Sequence, residues 1–145
     1  MRNPWVAAAA TALMLAGCSS DPPDYSPPAG ELVAGTAEVT VNGNDVGVIR
    51  AVDCTTTGPL STITIGEDNS GVTAMVSNQD ALTAEFVRIN DLGGFTGSYA
   101  NGLADRAAEV TMTGRTYDIT GTADGFKTDS PSFRVPGTFA VRVSC

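Results

Sequence analysis

The 145-residue sequence contains no histidine, one tryptophan and a single lysine, and only 6% of its residues are aromatic. The missing histidine removes the commonest general base and metal ligand. No Gly-x-Ser-x-Gly elbow and no phosphate-loop pattern occurs. The lone Lys127 reads as a solvated loop charge rather than a Schiff-base or Ser–Lys partner. Positive charge is scarce as well: the formal net charge is −8. An acidic chain without a basic run is a poor partner for nucleic acid, and it has no polybasic segment for anionic lipid.

Long apolar runs are also absent. The longest uncharged stretch of that kind, Val6 to Leu15, has ten residues. Ten helical residues span about 15 Å, half of a hydrocarbon core of about 30 Å. With Arg2 before it and small residues after it, this stretch reads as a signal peptide over residues 1–17. It ends in Leu15-Ala16-Gly17-Cys18, the pattern of a bacterial lipoprotein signal. Cys18 is then the lipidated first residue of the mature chain. Cleavage removes Arg2 and leaves a charge of −9 on 128 residues. Each buried methylene contributes about 0.8 kcal/mol, so two or three acyl chains attach permanently where one does not. The expected location is the cell membrane, lipid-anchored and facing out of the cytoplasm.

Residues 18–35 follow as the lipidated cysteine and an extended tether. Asp21-Pro22-Pro23-Asp24 and Ser26-Pro27-Pro28 keep it from building a core. At about 3 Å per residue, Ser19 to Gly35 could lift a domain by roughly 50 Å. Its hydroxyls are of the kind that carries O-linked sugar.

Residues 36–145 change to short alternating runs. Glu38 to Val41 alternates with period two, and Asn42-Gly43 has hairpin-turn chemistry. Val46, Val48, Val52 and Cys54 share a face that Arg50 interrupts, and Thr55 to Pro59 reads as loop. Ser61 to Ile65 and Gly71 to Ser77 alternate on either side of the turn Gly66 to Asn69. Leu82 to Asn90 switches parity, as a bulge or a strand covered on both faces would make it do. Leu103 to Ala108 is compatible with one helical turn. Tyr117 to Thr120 alternates, and Asp124-Gly125 reads as a further turn. Phe139, Val141, Val143 and Cys145 occupy one face of the last run. These signals predict an all-β fold, an antiparallel sandwich or strongly curved sheet of seven or eight short strands. Phe86, Phe95, Tyr99, Tyr117, Phe133 and Phe139 are its expected core packing, with lining of an apolar pocket as the alternative.

Two cysteines remain beyond Cys18. In an exported chain, Cys54 and Cys145 are expected to form a disulfide. The alternatives are two free thiols or a metal pair, and the lack of histidine or a nearby third thiol argues against zinc. Glu67-Asp68-Asn69 and Asp124 to Asp129 offer oxygens for calcium but no EF-hand spacing, so they read as acidic turns. Gly93-Gly94 reads as a bend rather than a phosphate cradle. No catalytic, cofactor-binding or metal-ligating residue is assigned.

Four features together resemble the mycobacterial nineteen-kilodalton lipoprotein antigen family. They are the Leu-Ala-Gly-Cys signal with its tether; Val39-Thr40-Val41-Asn42-Gly43 followed by Cys54-Thr55-Thr56; Tyr117-Asp118-Ile119-Thr120-Gly121-Thr122-Ala123-Asp124-Gly125; and the terminal Phe139-Ala140-Val141-Arg142-Val143-Ser144-Cys145. The tether here is rich in proline rather than threonine. The resemblance implies a cell-envelope lipoprotein with an all-β domain, a surface antigen without catalytic residues. It also implies sensing of the lipidated end by host innate immune receptors. The alternative function is a binding module that carries an apolar small molecule, such as an envelope lipid, between its sheets.

Overall fold

The structure, a computed structural model, describes residues 24–145; the expected signal peptide lies outside them. The described chain is all-β, with ten strands and no helix. They are β1 (Thr36–Val41), β2 (Asn44–Ile49), β3 (Val52–Thr57), β4 (Leu60–Glu67) and β5 (Ser70–Ser77). The second half adds β6 (Thr83–Leu92), β7 (Phe95–Ala100), β8 (Glu109–Thr113), β9 (Thr116–Lys127) and β10 (Ser130–Ser144).

All pairings are antiparallel, in the order β2-β1-β10-β9-β7-β6-β5-β4-β3, with β8 also on β9. The two outermost strands, β2 and β3, are consecutive in sequence and joined only by Arg50 and Ala51. Laid flat, nine strands at about 4.8 Å spacing would hold them roughly 38 Å apart. Three chain steps reach no further than about 11 Å. The sheet must therefore curl until its edges meet. Irregular register after Glu38, Met75 and Ile89 supplies bends that help it do so. The result is a nearly closed barrel.

The alternation read from the sequence sorts inside from outside. Val39 and Val41, Ile63 and Ile65, Val87 and Ile89, and Val141 and Val143 are all fully buried. Phe95 is fully buried too, and its ring lies where two glycines leave room for it. A Cβ on Gly97 or Gly137 would stand 2.6 Å from a ring carbon of Phe95. Larger residues there would expel the ring. Tyr99 and Phe139 pack beside it, their centroids 6.3 Å apart and their planes tilted.

Several elements depart from the sequence expectation. Thr55 to Thr57 are strand, not loop, so the edge strand β3 runs on to a turn at Gly58-Pro59. Asp124-Gly125 makes no turn: β9 continues through it to Lys127. Gly125 is needed there for close approach, since a Cβ would meet the Thr96 carbonyl oxygen and Gly97 Cα of β7. Leu103 to Ala108 holds turns and bends rather than a helical turn. In this stretch the chain leaves β9 after pairing Ser98 with Asp124 and rejoins it at Glu109 opposite Thr120. The buried Tyr99 hydroxyl accepts a hydrogen bond from Ala108 N at 2.9 Å and ties the excursion down.

Candidate functional site

The barrel has two poles of different character. At the first, β1 and β9 begin and β10 ends. Arg142 organises it. On the outward side of β10, Arg142 is directly opposite Glu38 of β1 and Asp118 of β9. Its Nε donates to Asp118 Oδ1 at 2.8 Å and Nη1 to Glu38 Oε2 at 3.4 Å. The remaining arm, Nη2, donates to the carbonyl oxygen of Gly30 at 3.1 Å. One planar fork thus joins three strands to the segment that enters the barrel.

Further bonds hold that segment. Leu32 N donates to the hydroxyl of the buried Thr116 at 2.9 Å, and Gly35 N donates to Ser144 O at 2.8 Å. The stem from Gly30 to Gly35 is therefore docked along the first pole.

The disulfide lies at the same pole. Cys54 of β3 is bonded to Cys145, just beyond β10, with Cα atoms 6.0 Å apart and a sequence separation of 91. It ties the edge strand β3 to the end of β10, which lies two strands in from the opposite edge. Of the other expected site residues, Cys18 lies outside the described residues.

At the opposite pole the β1–β2, β6–β7 and β9–β10 turns converge around an open concavity of about 820 Å³. Asn42, Gly93, Lys127 and Pro136 are among its walls. Lys127 is exposed at its rim. Gly93 and Gly94, with φ of 60° and 74°, form the β6–β7 turn. A Cβ on Gly93 would stand 2.9 Å from Val41 Cβ, so this turn is pressed against the core strand. Glu67 and Asp68 sit at the β4–β5 turn, away from Asp124 on β9. The two acidic stretches are not brought together into a group of metal-ligating side chains among the described residues.

The aromatic residues divide. Phe95, Tyr99 and Phe139 are core, as expected. Phe86 and Tyr117 are only half-buried, and Phe133 is 72% exposed. The cause for Phe133 is register: Lys127 pairs with Ser130 but Phe126 pairs with Arg134. Pro131, Ser132 and Phe133 are extra on β10 and bulge outward.

The profile described as Mycobacterium 19 kDa lipoprotein antigen matches residues 30–145. The chain belongs to that family. It is 39% identical over 148 residues to a chain of Mycobacterium indicus pranii provisionally named a lipoprotein, covering 100% of both. A similarly named chain of Mycobacterium avium subsp. hominissuis is 38% identical over 141 residues, 97% of this chain and 90% of that one. Lipoprotein LpqH of Mycobacterium tuberculosis H37Rv is 31% identical over 108 residues, 74% of this chain and 68% of LpqH. The matched stretch starts at Gly30, where Arg142 first takes hold of the chain.

The Arg142 arrangement was not anticipated from the sequence. Glu38, Asp118 and Arg142 each occupy an outward position in an alternating run, and that much is visible. That they share one line across three strands depends on register, which the sequence alone does not fix.

Proposed function

We propose that this chain is a lipid-anchored lipoprotein of the mycobacterial cell envelope, held through acyl chains on Cys18 and displaying its barrel outside the cytoplasm. It works as a surface antigen and interaction protein rather than as an enzyme. Its acylated end is the part that host innate immune receptors detect. The observation that carries the reading is the docked stem. The chain enters the barrel at Gly30, with eleven residues between it and Cys18, at the pole that also carries the disulfide, a bond that an oxidising compartment permits. At about 3.1 Å per residue these eleven residues reach roughly 35 Å when extended. The anchored pole then faces the membrane and the turn-lined pole faces away.

The interior of the barrel bears on the alternative of an apolar cargo. Phe95, Tyr99, Ile119 and Phe139 fill its centre at 3% exposure or less, which favours the antigen reading.

The test is cell fractionation of the Cys18→Ala variant. The variant is expected in the soluble fraction or the medium, and purified Cys18→Ala protein is expected to lose receptor signalling. Retention on membranes after a detergent-free wash, or undiminished signalling, would overturn the reading.

A further inference from the structure

Of five phenylalanines, two are in the core. The other three stand on the outside of the barrel, gathered on one side of it. Phe86 and Phe126 flank a groove of about 360 Å³ that runs over β7, and Phe133 bulges out next to Arg134 at its edge. The groove exists because the outward residues of β7 are small, Thr96 and Ser98, while those on either side are large.

Two arginines face the same groove, Arg88 from β6 and Arg134 from β10. Register places Arg88 beside Ser98, Ser98 beside Asp124, and Phe126 beside Arg134. Among the described residues only Arg142 is in a salt bridge, so both guanidinium groups are unpaired in a chain of net charge −8. Glu67 and Asp68 stand beyond Arg88, at the β4–β5 turn, without bonding to it.

This combination restricts the occupant. An apolar molecule would leave two guanidinium groups and the Asp124 carboxylate unmatched. A bare inorganic anion would make no use of two aromatic faces. A metal cation would be repelled by the arginines. A sugar ring with an acidic substituent uses every group. Its C–H face packs on Phe86 or Phe126, its carboxylate or phosphate takes the arginine forks, and its hydroxyls donate to Asp124 and exchange bonds with Ser98. The volume suits one or two rings, at the small end of ligand sites of about 300–1,000 Å³.

We propose that the outer groove over β7 is a binding site for an acidic saccharide, a uronate or a sugar phosphate. The site does not depend on how the chain is anchored. It is tested by amide NMR of the full chain carrying Cys18→Ala, titrated with glucuronate, mannose 6-phosphate, mannose and inorganic phosphate. The two acidic sugars are expected to shift the amides of Gly97, Ser98 and Gly125. Mannose and inorganic phosphate are each expected to bind at least about tenfold more weakly. The double variant Arg88→Gln/Arg134→Gln should lose at least that factor, and Lys127→Gln, in the other concavity, should lose none. Both arginines are exposed, and unchanged amide positions away from the groove will show that the double variant keeps its fold.

Vesicles of phosphatidylcholine containing phosphatidylinositol distinguish the sources. Retention that the double variant lacks identifies a lipid headgroup, and binding of soluble sugars alone identifies a free glycan. The proposal is overturned if neither acidic sugar moves the groove amides, if the double variant binds equally well, or if inorganic phosphate binds as tightly as the sugar phosphate.

Discussion

Arg142 and Glu38 lie directly opposite each other on β10 and β1, and the same guanidinium that reaches Glu38 also holds Asp118 and the Gly30 carbonyl. A half-exposed ion pair contributes little alone, about 0.2–1 kcal/mol. This one also helps to hold the stem, beside the bonds at Leu32 and Gly35. Arg142→Gln should cost about 1 kcal/mol of global stability. It should have a larger local effect: faster amide exchange at Glu31 and Leu32, and faster proteolytic cutting before Thr36. Exchange mass spectrometry checks it, and stem protection equal to that of the parent would contradict it.

The disulfide ties the edge strand β3 to the end of β10. Closing a loop of this length restricts the unfolded chain by about 4–5 kcal/mol in the entropic account. The paired variant Cys54→Ala/Cys145→Ala should therefore lose about 2–5 kcal/mol in chemical denaturation. Because β3 without the disulfide is paired only with β4, the earliest opening should appear in β3. Uniform loss of protection along the whole sheet would argue against this local role.

Gly137 faces three carbons of the Phe95 ring at 2.6–2.8 Å from where a Cβ would be. Gly137→Ala should destabilise by about 1–3 kcal/mol through overpacking. Phe95→Leu made in the Gly137→Ala background should cost less than Phe95→Leu alone. A double-mutant cycle measured by thermal unfolding reads the coupling, and strict additivity would show that the ring and the glycine do not compete.

Phe133 gives the contrasting case. It is 72% exposed, so Phe133→Ser should change stability by no more than about 0.5 kcal/mol. A larger loss in a denaturation curve would mean that the bulge packs against the barrel in solution.

The outline of this fold was legible because its alternation is strict where one face is buried. The last strand, with Phe139, Val141 and Val143 inward, and the Asn42-Gly43 turn could be read directly, whereas the run from Val46 to Cys54 is divided at Arg50 into β2 and β3. The misreadings share a cause, that glycine and threonine signal turns locally but were placed by distant partners. Asp124-Gly125 looks like a turn, yet Gly125 is there to let β7 approach. Thr55 to Thr57 looks like a loop, yet β4 pairs with it. The aromatic residues show the same limit. Hydrophobicity put all six in the core, but a three-residue surplus on β10 turns Phe133 outward. Arg142, Arg88 and Arg134 could not be given neighbours without register, so neither the stem clasp nor the outer groove was visible.

The pairing of β1 with β10 has a mechanical consequence. Tension entering through the stem at Thr36, and resisted at the β9–β10 turn, pulls the two strands lengthwise past each other. The six register pairs from Thr36–Ser144 to Val41–Phe139 then bear the load in parallel rather than parting one after another. Such a shear geometry makes the barrel hardest to tear apart along the direction in which a tethered domain is dragged.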